Sequence, residues 1–359
     1  MKILFDYSIF NHQKLGGISR YVLNLDTEIN KTSNVSKILA PIHYNLFLKN
    51  YKNYNGLYIK KFPRFTSKFF KFYNNIITKK YISNFKPEII HKTYFSDYWP
   101  ENFKGKKVIT VYDLIHEIYH KDYHFSSSYR PKAKALSGVD AIITISHNTK
   151  LDLIKYYNIP SSKIFVTHLG INLQNENSYI KIINEPYILY VGDRKRYKNF
   201  SNFLLAYANS SKINNNFKIV LFGGGKLFKS ELEIISKYNI NPKQIIQLSG
   251  SDSDLASLYK YANLFIFPSK YEGFGLPLLE SASKGCPIAC SDLKIFREIM
   301  DDTVQYFDPN SIESIKESLE KILFVESLKK DLVSKASKKI SSFSWKKCGN
   351  ETLEIYRKL

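Results

Sequence analysis

The stretch PSKYEGFGLPLLESASKGCP, residues 268–287, puts Glu272 and Glu280 on either side of a glycine-containing bend. It begins in LFIFPS (264–269), an apolar run bounded by turn residues that reads as a β-strand. KYEGFG is then the loop at the strand's carboxyl end. LPLLESASKG follows as a helix, with Pro277 tolerated in its first turn and Gly285 as its stop. Gly273 and Gly275 allow the backbone to approach a ligand closely. The start of the helix after them carries the positive end of its dipole, which favours an anion such as a phosphate. A carboxylate accepts two hydrogen bonds from vicinal hydroxyls. Two carboxylates bracketing an anion site therefore suit a ligand with hydroxyls on both sides of its phosphates, and a nucleotide sugar has that shape.

Other strand ends carry matching chemistry. YVGDRKRYKNF (190–200) clusters Arg194, Lys195, Arg196 and Lys198, the fixed cations that a departing diphosphate needs. KLGGISRYVLNL (14–25) opens a helix at Gly16 and Gly17 but lacks the spacing of a dinucleotide-binding G-x-G-x-x-G loop. VYDLIHE (111–117) offers Asp113 and His116, and His91 and Ser146 stand at two further strand ends. LFGGGKL (221–227) is either a contact for a nucleotide base or only a tight turn. SDSD (251–254) has the D-x-D spacing of a metal site, but ASLYKYA follows it. Asp252 or Ser253 is therefore expected to cap a helix. With no other carboxylate–histidine cluster in the sequence, neither a metal nor another cofactor is expected.

These residues depend on a regular frame. Strand-like runs at 2–8, 36–42, 88–95, 106–114, 141–146 and 163–171 alternate with helix-like segments, and after a polar stretch the alternation restarts at 187–193, 218–225, 244–250, 264–269, 287–292 and 304–309. Several of the runs are apolar almost throughout, as parallel strands covered on both faces must be. The expected class is α/β, with two doubly wound Rossmann-like domains facing across a cleft. The expected boundaries are 1–172, a linker over 173–186, 187–340, and a closing helix within 341–359 that carries Leu353, Ile355 and Tyr356 on its apolar side.

Residues 268–287 resemble the E-x7-E signature of family 4 glycosyltransferases, retaining enzymes of the GT-B fold, and the likeness extends over most of the chain. The resemblance implies that Glu280 holds the donor ribose and that Glu272 contacts the transferred sugar. Gly273, Phe274, Gly275 and Leu276 would line the sugar and phosphate with their backbone. It also implies an Arg and a Lys for the donor diphosphate. Lys198 fits the latter; Asp193 occupies the commonest place of the former, so Arg194 is assigned with Arg196 in reserve. Gly16 and Gly17 look like the family's glycine loop near the donor phosphates. Where many relatives have His-Asp this chain has Tyr112-Asp113, so Asp113 carries over and any histidine role moves to His116. KIFRE (294–298) keeps Glu298 but has Arg297 in place of a proline, and FSWKKC with its helix resembles a closing segment that returns to the first domain.

The chain's 359 residues are enough for two cores, and 24% charged residues are ordinary, but the net charge of +21 is not. Residues 29–87 hold twelve Lys or Arg and no Asp or Glu. Within them SKFFKFYNNIITKKYISNF (67–85) interleaves basic and aromatic residues at helical spacing. Such a face at residues 60–86 suits an anionic membrane surface, or is merely solvated, and suits nucleic acid least. The three cysteines, Cys286, Cys290 and Cys348, read as buried thiols in a reducing compartment. MKILFDYSIF reads as a first strand and not as a signal peptide, and no run approaches 18 apolar residues. The expected protein is a cytoplasmic enzyme, peripheral on the inner membrane face. It would transfer a hexose from a nucleotide diphosphate sugar to a saccharide or lipid-linked saccharide, retaining configuration. The rivals are a nucleotide-sugar epimerase of the same fold and a non-catalytic carbohydrate- or nucleic-acid-binding protein.

Overall fold

The computed structural model describes residues 1–96, 98–100, 102–120, 132–172 and 178–359. They divide into two compact units, Met1–Gly170 with Phe343–Leu359, and Ile171–Ser342. The first unit contains β1 (Lys2–Phe5), β2 (Val35–His43), β3 (Tyr54–Tyr58), β4 (Ile89–Lys92), β5 (Lys106–Val111), β6 (Ala141–Thr144) and β7 (Ile164–Val166). They form one sheet in the order β3-β2-β1-β4-β5-β6-β7, with every pairing parallel. The second unit contains β8 (Tyr187–Val191), β9 (Lys218–Phe222), β10 (Ile245–Leu248), β11 (Leu264–Phe267), β12 (Ile288–Ser291) and β13 (Gln305–Phe307). Its sheet, also parallel, runs β10-β9-β8-β11-β12-β13. In each sheet the strand order reverses at one point, between β1 and β4 and between β8 and β11. Loops at the carboxyl ends of such a pair diverge and leave a crevice.

The strands form where the apolar runs are. β4, β6, β11 and β12 are buried at every residue, as helices on both faces of a parallel sheet require. Full burial of each large aliphatic side chain contributes about 1.5–3 kcal/mol. The exception is β3, YNGLY, a half-exposed edge strand with no apolar run to announce it. It pairs with β2 across a register shift between Ala40 and Ile42. A Cβ on Gly56 would fall 1.7 Å from the Ala40 carbonyl oxygen, so this close approach tolerates only glycine.

The last helix, Trp345–Arg357, belongs to the first unit and buries Cys348, Leu353, Ile355 and Tyr356. Gly349 lets it lie close on the helix Gly17–Asn30, since a Cβ there would meet the Glu28 Cβ at 2.7 Å. The Tyr356 hydroxyl hydrogen-bonds His91 Nδ1, and His91 Nε2 meets Thr110 Oγ1 at 2.8 Å. Burial lowers the His91 pKa to about 3, so the ring stays neutral. His91 is thus a tie between sheet and last helix, not a ligand contact. Ser146 is structural as well, capping the helix His147–Tyr157 by accepting from the Thr149 N–H at 3.0 Å.

Residues 173–177 of the expected linker lie outside the described residues. The remainder is fastened to the second unit: the Tyr179 hydroxyl accepts from Lys284 Nζ at 3.1 Å, and the Ile180 N–H donates to Ser257 Oγ at 3.2 Å. Cys286, Cys290 and Cys348 are free and buried. Among the described residues no helix is long and apolar enough to cross a membrane.

Candidate functional site

In the second unit the two loops that leave β8 and β11 are laced together. The Lys270 N–H donates to the Tyr197 carbonyl at 2.7 Å. Lys198 Nζ lies 2.6 Å from Glu272 Oε1, with both side chains largely but not wholly covered. Burial, and then the Glu272 charge, push the Tyr190 pKa well above its ordinary value, so the phenol beneath the loop stays neutral. It donates to the Asp193 carbonyl at 2.7 Å and holds the turn. The sequence-predicted cation and acid thus meet at adjacent strand ends, at the reversal point of the sheet.

The loop after β11 enters the helix Leu276–Ser283 through Gly275, whose φ of 119° is a left-handed conformation that side chains resist. A Cβ there would also press on Leu278 and Phe296 at 3.2 Å. Gly273 and Phe274 are buried in the loop. Glu280 lies one turn into the helix and is partly buried beside Tyr259, whose pKa is raised by burial and then by the Glu280 charge. Arg297, which stands where the family motif has proline, forms a two-pronged pair with Asp292 at 2.7 and 2.9 Å.

Arg194 is not where the sequence suggested. Its guanidinium is buried: Nε donates to Glu231 Oε1 at 3.1 Å, and Nη2 donates to the Gly225 and Lys226 carbonyls at 3.0 and 2.8 Å. These bonds stitch the Gly223–Gly225 turn to the β8 loop and leave the cation committed to structure. The exposed cations of this loop are Lys195 and Arg196, the latter being the reserve assignment for the diphosphate. The glycine turn itself, with φ of 79°, 69° and 70°, borders a recess of about 320 Å³ with Lys226, Gln247 and Ser249. The D-x-D stretch caps a helix, as expected, but from one residue earlier. Ser251 Oγ accepts from the Asp254 N–H at 3.2 Å, and Asp254 Oδ2 accepts from the Ser251 N–H at 2.7 Å.

The first unit carries a separate cavity of about 620 Å³. His116 lines it, as do His12, Tyr44, Phe62, Lys68 and Tyr94. His12 stacks on Tyr94 with centroids 4.6 Å apart, and burial followed by the nearby His116 lowers its pKa. Asp113 does not line the cavity; its Oδ1 accepts from the Ile115 N–H at 3.1 Å and shapes the turn that delivers His116. Tyr112, in the histidine's place, is buried and donates to the Thr93 carbonyl at 3.1 Å. Gly16 and Gly17 start the helix Gly17–Asn30, with Gly16 fully extended at φ 169°. His12, Tyr44 and Tyr94 escaped sequence reasoning because they come singly from different segments. Their one shared signal is that each follows the carboxyl end of β1, β2 or β4.

Residues 15–175 match the family described as Glycosyltransferase Family 4, and residues 174–339 match Glycosyl transferases group 1. The O-antigen chain mannosyltransferase B of Escherichia coli is 26% identical over 298 residues, 77% of this chain and 76% of that protein. The serotype-specific mannosyltransferase WbdA of Escherichia coli is 26% identical over 310 residues, 77% of this chain but only 38% of its own length. The structure of Anabaena Alr3699/HepE in complex with UDP-glucose shares the fold with a TM-score of 0.78, at 12% identity and over 100% of both chains. Two family matches that meet near residue 175 and together run from 15 to 339, on two parallel-sheet α/β units, lead to one assignment: the chain belongs to the group 1 glycosyltransferases and has the GT-B fold.

Proposed function

We propose that this chain transfers a hexose from a nucleotide diphosphate sugar to a saccharide or lipid-linked saccharide during assembly of a surface polysaccharide, retaining anomeric configuration. The observation that carries the reading is the Lys198–Glu272 pair at 2.6 Å, set beside the helix start at Gly275. The pair keeps each charge compensated until a donor arrives. A diphosphate then draws Lys198 to itself, and Glu272 turns to the sugar hydroxyls. Glu280 takes the ribose hydroxyls. Lys198, Arg196 and the positive end of the helix Leu276–Ser283 stabilise the leaving diphosphate, which is the role a metal plays elsewhere. The acceptor hydroxyl attacks from the face the diphosphate leaves. The mannosyltransferase relatives favour a mannose-like sugar, and UDP-glucose in the Anabaena structure keeps a glucose-like one in view.

The helix Ser67–Phe85 supports a membrane-side location on the cytoplasmic face. Phe65 is 99% exposed, and Phe69, Phe72 and Ile76 are at least half exposed among Lys68, Lys71, Lys79 and Lys80. Rings for the headgroup boundary and cations for anionic lipid suit that surface.

Nuclear magnetic resonance of a reaction with nucleotide sugars tests the reading. Donor with acceptor should give a glycoside with the donor's anomeric configuration. Epimerised donor without any acceptor would overturn transfer in favour of the epimerase, and an inverted glycoside would overturn retention.

A further inference from the structure

The helix Ser67–Phe85 borders two separate recesses of the first unit. Ser67, Lys68 and Lys71 line the cavity at the carboxyl ends of the strands. Near the other end of the helix, Lys79, Ile82 and Ser83 line a second cavity of about 440 Å³, together with Lys86, Phe103 and Lys104. Pro87 and Gly105, which also line it, stand just before β4 and β5. The second cavity therefore opens at the amino ends of the strands, away from the loops expected to carry chemistry.

Its charge is one-sided. Lys79, Lys86 and Lys104 are exposed, and none has a carboxylate partner among the described residues. Glu88, close by in sequence, is engaged elsewhere: it accepts from the Lys2 N–H at 2.6 Å and faces the Met1 ammonium at 3.8 Å. Glu101, the one acid between Pro100 and Gly105 in the sequence, cannot balance three lysines. Lysines in a last helical turn also offset the helix dipole. Lys104, however, comes from a different segment and converges on the same space. Ile82 and Phe103 give the cavity an apolar side, packed against Leu4, Leu39 and Ile90 of the core. Such a cavity fits a phosphate that carries an organic group better than it fits a bare ion.

The exposed face of the helix indicates where that phosphate comes from. Phe69, Phe72 and Ile76 are at least half exposed and follow one another at spacings of three and four residues. Lys79, Lys80 and Ser83, all exposed, continue the same face. Apolar groups at one end and the lysine-rimmed cavity at the other thus share one side of a helix about 28 Å long. A free anion or a nucleic acid would use the lysines and leave Phe72 and Ile76 in water. An anionic bilayer uses both.

Building on the membrane-side reading above, we infer that this second cavity holds the headgroup of an anionic phospholipid. The helix lies along the bilayer, with Phe69 and Phe72 entering the headgroup boundary and Lys79, Lys86 and Lys104 closing on one lipid phosphate. Two separated points of attachment fix the orientation of the first unit on the membrane, which a diffuse basic patch does not.

Co-sedimentation of the full chain with vesicles tests this, using equal parts phosphatidylglycerol and phosphatidylcholine against phosphatidylcholine alone. Two variants add the same charge one residue apart: Ser83→Glu inside the cavity, and Asn84→Glu, exposed but not lining it. The wild type should bind the mixed vesicles and not the neutral ones. Ser83→Glu should weaken that binding about tenfold or more, and Asn84→Glu by no more than about twofold. Lys86→Gln/Lys104→Gln should lose about as much as Ser83→Glu. All four positions are exposed, so an unchanged melting temperature separates lost binding from lost fold. Equal losses in the two glutamate variants would reduce the cavity to bulk charge and overturn the inference. Vesicle binding unmoved by Ser83→Glu would overturn it too, and would hand the cavity to a free anion if calorimetry with inorganic phosphate responds to that variant, or to nucleic acid if retention on single-stranded RNA does. Failure of the membrane-side reading itself looks different: the wild type would bind neither vesicle, or Phe69→Ser/Phe72→Ser would bind as the wild type does.

Discussion

The two units repeat one strand order yet build their recesses from different material. In the second, the backbone does the shaping: Gly192, Gly223, Gly224, Gly225 and Gly275 all take positive φ at the strand ends. Few side chains are then needed, and the proposed function asks for Lys198, Arg196, Glu272 and Glu280. In the first, the loop Gly16-Gly17 is extended and asks little of glycine, and the recess is walled by rings and bordered by lysines. All eight histidines of the chain also lie at or before His168, in the first unit. A pocket made of backbone suits a phosphate that every donor shares. Side chains can be exchanged without rebuilding the fold, so a recess built from them can change its ligand more readily.

The largest effect expected from this contrast concerns two cations of one loop. Arg194→Ala leaves Glu231 buried without its partner and should cost about 3–5 kcal/mol of stability, read as a lowered denaturation midpoint of the second unit. Arg196→Ala should leave that midpoint in place and weaken donor binding. Equal loss of stability in both variants would erase the distinction drawn here. Next, Lys198→Ala should reduce transfer by about 10²- to 10³-fold, with the fold intact by circular dichroism. A change in acceptor KM without any in the rate at saturating donor would contradict its place on the diphosphate.

Acid should separate the units. Burial lowers the His43 pKa to about 4 and that of His91 to about 3, from an ordinary 6.5. A histidine whose folded pKa is depressed takes up its proton more readily when unfolded. Stability is therefore fully present above pH 6.5 and falls as the pH drops toward 4. Each of these histidines should remove about 2 kcal/mol by pH 5. Hydrogen exchange over that range should quicken first in β1, β2 and β4. Faster loss in β8 and β11, where no histidine lies, would count against this account. The smallest effect compares two glycines. Gly275→Ala should cost about 1–3 kcal/mol through its positive φ, while Gly16→Ala, opposed only by the flexible Gln13 side chain, should stay near 0.5 kcal/mol. Melting curves of the two variants decide it.

The same contrast explains what could be read in advance. Apolar runs announced every strand except β3, whose place is fixed by the close approach of Gly56 to Ala40 and not by any pattern in YNGLY. Glu272, Gly275 and Lys198 were legible because a backbone-built site compresses its demands into short loops. The buried pairing of Arg194 with Glu231, 37 residues away, was not, because a string of basic residues does not reveal which one turns inward. His12, Tyr44 and Tyr94 were invisible for a related reason, being brought to one cavity by three strands far apart in sequence.

Titration calorimetry of nucleotide diphosphate sugars against the wild type and Glu280→Ala tests the central claim most directly. Wild-type protein should bind a nucleotide sugar, and the variant, folded and equally stable, should bind it at least about tenfold more weakly, as loss of a charged hydrogen-bond acceptor predicts. Identical affinities would show that the second unit does not hold its donor through this carboxylate, and the account would fail.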